Sequence, residues 1–126
     1  MGIENRTTHR INIELPLSFK VHEAQKHLSI GMTQDISPTG MRVLSKDKLD
    51  VGQEVQVQIR LPDDSSLTIH AKVVWCKEAY TLNAKEYIMG LQLMNDMRAD
   101  EAKFVKFVAR QFLASFTKKP NPPPAS

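Results

Sequence analysis

The sequence predicts an all-β domain, a barrel or sandwich of about six short strands covered by one C-terminal helix. Three observations predict it. Apolar residues recur at every second position in successive runs, clusters of turn-forming residues separate those runs, and from about Asp96 the apolar period lengthens to three and four.

Ile11, Ile13, Leu15, Leu17, Phe19 and Val21 alternate with polar residues, the period of a half-buried strand. Pro16 lies on the polar face of that run and marks an edge or a bulge, because it has no N–H for a ladder. His22 to His27 reads as a loop. Leu28 to Ile36 forms the next strand, with Leu28, Ile30 and Met32 on one side. After the turn at Pro38–Gly40, Met41, Val43 and Ser45 alternate with Arg42 and Leu44. Gly52 supplies the positive-φ position of a turn over Asp50–Gln53. Val55, Val57, Ile59 and Leu61 form a further strand, ended by the turn Pro62–Ser66. Leu67, Ile69, Ala71, Val73 and Trp75 continue the alternation, which favours core packing for Trp75 over a place shielding or stacking beside a bound ligand. A last strand near Glu86–Met94 contains Gly90, the mark of a bulge or bend. Phe104, Phe107, Val108, Phe112 and Phe116 then form the stripe of an amphipathic helix that packs onto the sheet. Asn95 or Asp96 is the expected N-cap, and Lys118 and Lys119 suit the dipole at its end.

A chain of 126 residues suits one domain. Its single cysteine, Cys76, excludes an internal disulfide and reads as a buried or half-buried structural thiol. His9, His22, His27 and His70 show no metal spacing, so no metal and no cofactor is expected. No stretch approaches the ~20 apolar residues of a membrane helix, and no secretory segment is visible, which predicts a cytoplasmic protein without membrane insertion. The net charge of +3 is too small to demand nucleic acid. No nucleophile–base pair, phosphate loop or paired-carboxylate motif points to an enzyme.

Two short strings carry the chemistry. Arg6-Thr7-Thr8-His9-Arg10 reads RxxxR, and Asp35-Ile36-Ser37-Pro38-Thr39-Gly40 reads DxSxxG. If the intervening segment is one hairpin centred on the 22–27 loop, antiparallel pairing sets Arg10 opposite about residue 39. Both strings then share one rim. Arginine forks grip phosphate oxygens or the Hoogsteen edge of guanine. A carboxylate suits the N–H groups of guanine's Watson–Crick edge, Ser37 adds a hydroxyl, and Gly40 permits a tight turn and close backbone approach. The rim is a receptor for an anionic, guanine-bearing ligand.

RTTHR, INIELPLSF, DISPTG, MRV, VVWC and YIMGLQL together resemble a PilZ domain, the bacterial receptor module for cyclic di-GMP, over residues 5 to about 116. The resemblance implies a six-stranded antiparallel β-barrel with a C-terminal helix. It also implies a ligand site in which Arg6 and Arg10 bind phosphate and guanine, while Asp35, Ser37 and Gly40 surround a guanine. The expected organisation is a flexible arm at 1–10, a barrel plus helix at 11–116 and a disordered Pro-rich tail at 117–126. The expected function is a non-enzymatic cyclic di-GMP receptor or adaptor in the bacterial cytoplasm. It would act on a protein target in motility, biofilm or exopolysaccharide control. A ligand-independent protein-interaction module and, third, a small nucleic-acid-binding barrel are the competing readings.

Overall fold

The computed structural model describes residues 10–20, 29–82, 84–94 and 100–117. Along them run β1 (Ile11–Asn12), β2 (Pro16–Lys20), β3 (Ser29–Ser37), β4 (Gly40–Ser45), β5 (Glu54–Arg60), β6 (Ser66–Tyr80), β7 (Lys85–Leu93) and α1 (Glu101–Thr117). Strands β3, β2, β5, β6, β7 and β4 pair in that order, each antiparallel to its neighbour, and a β3–β4 pairing closes the ring. The result is the closed six-stranded barrel with one C-terminal helix that the sequence pattern and the resemblance predict. Closure leaves no barrel edge for a further strand to extend.

Period-2 alternation builds the wall. Val55, Val57 and Ile59 of β5 are buried, as are Leu67, Ile69, Ala71 and Val73 of β6 and Met89 and Leu91 of β7, while Gln56 and Gln58 of β5 are exposed. The turns behave as their residues demand. Gly52 has a φ of 96°, and Asp64 takes the left-handed conformation at φ 74° in the β5–β6 turn. There the Asp63 carboxylate accepts hydrogen bonds from the Ser65 amide at 2.9 Å and the Ser65 hydroxyl at 2.6 Å.

The first run is two strands, not one. β1 pairs with β3 through Ile11 and Ile36, and β2 pairs with the same strand through Pro16 and Met32, one residue out of phase with β1. Thr33 bridges the break. Its hydroxyl donates to the Ile13 carbonyl at 2.6 Å and accepts from the Leu15 amide at 2.8 Å, while its own amide donates to the Leu15 carbonyl at 3.0 Å. A side chain thus satisfies backbone groups that the interrupted ladder would leave unpaired. Pro16 stands at this break, where its missing N–H costs nothing. On β3, Ile30 and Met32 do share a side, but it is the solvent side, 57% and 39% exposed; Ser29 and Thr33 face inward.

α1 packs against β6, β1 and β3, burying Phe104, Phe107 and Val108. Asp100 fixes its start. Its backbone carbonyl accepts from the Phe104 amide, its amide donates to the Thr68 carbonyl at 2.8 Å, and its carboxylate accepts from the Thr68 amide at 2.9 Å. The helix is therefore tied to β6 at its first turn. The expected caps Asn95 and Asp96, the 22–27 loop, Val21, Leu28, Lys118, Lys119 and the tail beyond Thr117 lie outside the described residues.

Removing the Thr33 hydroxyl should leave a buried amide and carbonyl unpaired. We expect Thr33→Val to lower the unfolding free energy by about 1–3 kcal/mol in urea denaturation. Thr33→Ser, which keeps both hydrogen bonds, should lose clearly less; equal losses would refute the bridging role.

Candidate ligand-binding site

Two extra residues decide what the outer wall presents. Between β3 and β4 the register shifts after Thr33, leaving Gln34 unmatched, so that Thr33 pairs with Val43 but Asp35 pairs with Arg42. Between β6 and β7 it shifts after Val73, leaving Val74 unmatched, so that Trp75 pairs with Gly90. Each bulge reverses the phase of inward and outward residues. Thr33 and Val73 face the core; Asp35 and Trp75, two residues on, join the outer wall. The ladders then place Asn12, Asp35, Arg42, Gly90 and Trp75 in one row across β1, β3, β4, β7 and β6. At ~4.8 Å per strand, Asp35 to Trp75 spans about 14 Å.

Trp75 is accordingly not in the core. It is 37% exposed and lies against Gly90, where a Cβ would come within 2.2 Å of its indole Nε1. The glycine makes room for the indole, a reason more specific than a bend. Lys77 adjoins it, its ammonium 5.9 Å from the ring centroid. Cys76 is half-buried, as expected.

Asp35 is the charged centre of the row. Its carboxylate is nearly inaccessible, 2% exposed, because two guanidiniums cover it: Arg42 Nη2 lies 2.7 Å from Oδ2 and Arg10 Nε lies 3.3 Å from Oδ1. The Arg42 contact is the closer of two ion pairs to this carboxylate. The Arg10 contact is an ion pair only, so the buried Oδ1 accepts no hydrogen bond from the described residues. Both arginines keep nearly half of their side-chain exposure, at 44% and 47%, and can turn toward solvent.

Ser37 and Gly40 close the β3–β4 turn beside this pair. The Ser37 hydroxyl donates to the Gly40 carbonyl at 3.3 Å and accepts from the Thr39 amide at the same distance. Gly40 does not serve a positive φ, which among the described residues occurs only at Gly52 and Asp64. It serves close approach instead, since a Cβ there would lie 2.3 Å from the Leu91 carbonyl oxygen of β7.

The structure thus brings Arg10, Asp35, Ser37 and Gly40 to one end of the β3–β4 hairpin, although Ile11 opposite Ile36 sets Arg10 level with Ser37 and not residue 39. Arg6 lies outside the described residues. Sequence reasoning missed Arg42, yet the signal was present. A two-residue turn at Pro38–Thr39 pairs Ser37 with Gly40, and counting back two positions on each strand meets Asp35 and Arg42. Among the described residues, no group of His, Cys, Asp and Glu could hold a metal ion.

The PilZ domain family model matches residues 4–110. Among solved structures, MrkH of K. pneumonia in its apo state aligns with a TM-score of 0.69 at 16% identity, over 86% of this chain and 51% of that one. The inhibitor of motility MotI/DgrA of Bacillus subtilis aligns with a TM-score of 0.61 at 18% identity, over 82% of this chain and 49% of that one. The PilZ domain of YcgR from Escherichia coli, solved with c-di-GMP, aligns with a TM-score of 0.61 at 12% identity, over 88% of this chain and 95% of that one. The chain spans about half the length of MrkH and MotI. At these identities the likeness establishes the fold. No curated protein matches the sequence.

Gly90→Ala should force the indole off the wall. As Trp75 is the chain's one tryptophan, the expected readout is a red-shifted, more quenchable emission, with a loss of stability of about 1–3 kcal/mol. An unchanged emission spectrum would show that the wall absorbs the methyl elsewhere.

Proposed function

Because the chain belongs to the PilZ family, we propose that it is a non-enzymatic receptor for cyclic di-GMP, with its site on the outer wall around Asp35. One observation supports this most directly. Asp35 Oδ1 is buried and accepts no hydrogen bond from the described residues, although it lies at the mouth of a cluster of cationic side chains. A buried carboxylate oxygen without a donor costs free energy, about 1–3 kcal/mol or more for a charged group. The N1–H and N2–H groups of a guanine supply the missing donors, and a phosphodiester of cyclic di-GMP supplies the anion that the displaced Arg10 guanidinium needs.

In this reading Asp35 reads the guanine edge and Ser37 adds its hydroxyl. Gly40 holds β4 close against β7 so that the turn keeps its shape. Arg10 turns from Asp35 to phosphate or to the Hoogsteen edge, and Arg6 joins it from the segment 1–10. That segment closes on the ligand, which presents a surface to a protein target that the open state lacks. The family's solved relatives fit such a role: one carries c-di-GMP on its PilZ domain and another is an inhibitor of motility. The compartment we assign is the bacterial cytoplasm, and among the described residues no helix is long and apolar enough to cross a membrane.

Calorimetric titration of the full chain with cyclic di-GMP tests the reading. A charge-assisted hydrogen bond is worth about 1.5–3 kcal/mol, so Asp35→Ala and Arg10→Ala should each weaken binding about tenfold or more. Unchanged affinity in both variants would discard the site assignment. Absence of binding to the unaltered chain would discard the receptor itself.

A further inference from the structure

A second surface, sharing no residue with the Asp35 wall, lies where α1 meets the β5–β6 turn. An open cleft of about 500 Å³ runs there, within the size range of ligand pockets. Its floor is apolar, built from Leu61, Leu67 and Phe107. One wall is basic, formed by Lys103, Lys106 and Arg110 along a single edge of α1. Spacings of three and four residues put these side chains on one side of the helix.

The charges in this cleft are unequally committed. Lys103 lies 3.7 Å from Asp100, a first-turn pair of the helix. Lys106 and Arg110 make no ion pair with any described residue. On the opposite wall the only acid among the lining residues is Asp63, whose Oδ1 accepts from the Ser65 hydroxyl and amide, which lower its pKa. The cleft therefore offers two cations without an ion pair to any described residue, Lys106 and Arg110, beside an apolar floor of partly buried Leu61 and mostly buried Leu67 and Phe107.

We propose that this cleft docks an acidic amphipathic segment of a partner protein. Its Leu-, Ile- or Phe-type side chains would lie on Leu61 and Phe107 while its carboxylates meet Lys106 and Arg110. Charge complementarity selects this occupant. A second copy of the chain would bring the same basic helix edge to its partner, and like charges facing each other oppose pairing. A small organic anion would be poorly enclosed, since the cleft is open along the helix and ligand pockets bury most of what they hold. Helix-lined grooves with apolar floors bind peptides by this division between apolar anchors and charged rim.

The test uses the full chain and a random peptide library displayed on phage. Selected peptides should place Asp or Glu among apolar residues. Their affinity should fall about tenfold or more for the Lys106→Glu/Arg110→Glu double variant, and weaken as salt is raised. Both positions are exposed, so the variant should keep its urea midpoint and its titration with cyclic di-GMP. Loss of peptide binding is thereby separated from loss of fold, and failure here from failure of the receptor reading. Peptides without acidic bias, or equal affinity for the double variant, would overturn the proposal. So would a dimer in light scattering that the double variant dissolves, because it would assign the cleft to a second copy.

Discussion

The barrel wall exchanges inside for outside along β3 because Gln34 has no partner on β4, and the site exists only through that exchange. In an uninterrupted strand Thr33 and Asp35 would both point into the core, where a carboxylate meets only apolar side chains and its charge is strongly disfavoured. With one residue inserted, Thr33 stays inside to bridge the break between β1 and β2, while Asp35 turns out to meet Arg42. The same device operates at Val74, which frees Trp75 from the core and lays it over Gly90. Two insertions in different strands thus bring an acid and an indole into one row. Such bulges recur where a sheet must aim a side chain that strict alternation would misdirect.

The electrostatics of Asp35 follow from this placement. Burial of a lone carboxylate is costly, and covering guanidiniums offset the cost only in part when they remain half in water. Arg42 is fixed by register, directly opposite on β4, and makes the shorter contact. Arg10 sits just before the two-residue strand β1 and makes the longer one. Of the two, Arg10 is the one whose exchange for another partner disturbs least. An incoming donor for Oδ1 therefore replaces a weak contact, while Arg42 continues to hold Oδ2. Binding at this site is an exchange of partners around one carboxylate, so its net free energy is smaller than a count of new contacts suggests.

Most of the fold was legible because period-2 alternation is enforced by the core. β5 and the first part of β6 follow it residue by residue, and the turns at Gly52 and Asp63–Ser65 announce themselves by residue type. Legibility failed where the backbone departs from alternation. Trp75 sits two positions after Val73 and so reads as core, because nothing in the composition of Val73-Val74-Trp75 marks Val74 as unmatched. The split at Ile13–Leu15 was equally hidden, since both halves keep the same alternation across the break and only Pro16 hinted at it. Ile30 and Met32 misled in the opposite sense, as apolar residues on a solvent face. In the site, Asp35, Ser37 and Gly40 were recognisable as a motif, whereas Arg42 required the turn register to be carried two residues further.

Geometry also limits how a clamp built on RxxxR can work. The β1 pairing with β3 anchors the chain at Ile11, so Arg10 is held beside Asp35. Three residues separate Arg6 from Arg10, and an extended chain over those four Cα steps reaches at most about 14 Å. The row from Asp35 to Trp75 is about as long. On the receptor reading, Arg6 is within reach of the Asp35 end of the row without any change in the closed barrel, whose six strands are each paired on both sides. Rearranging the barrel itself would break ladder hydrogen bonds, whereas turning the Arg10 side chain breaks one ion pair among the described residues. On the receptor reading proposed above, a ligand shifts the segment carrying Arg6 and Arg10 only by as much as it contacts the two arginines better in one arrangement than in the other.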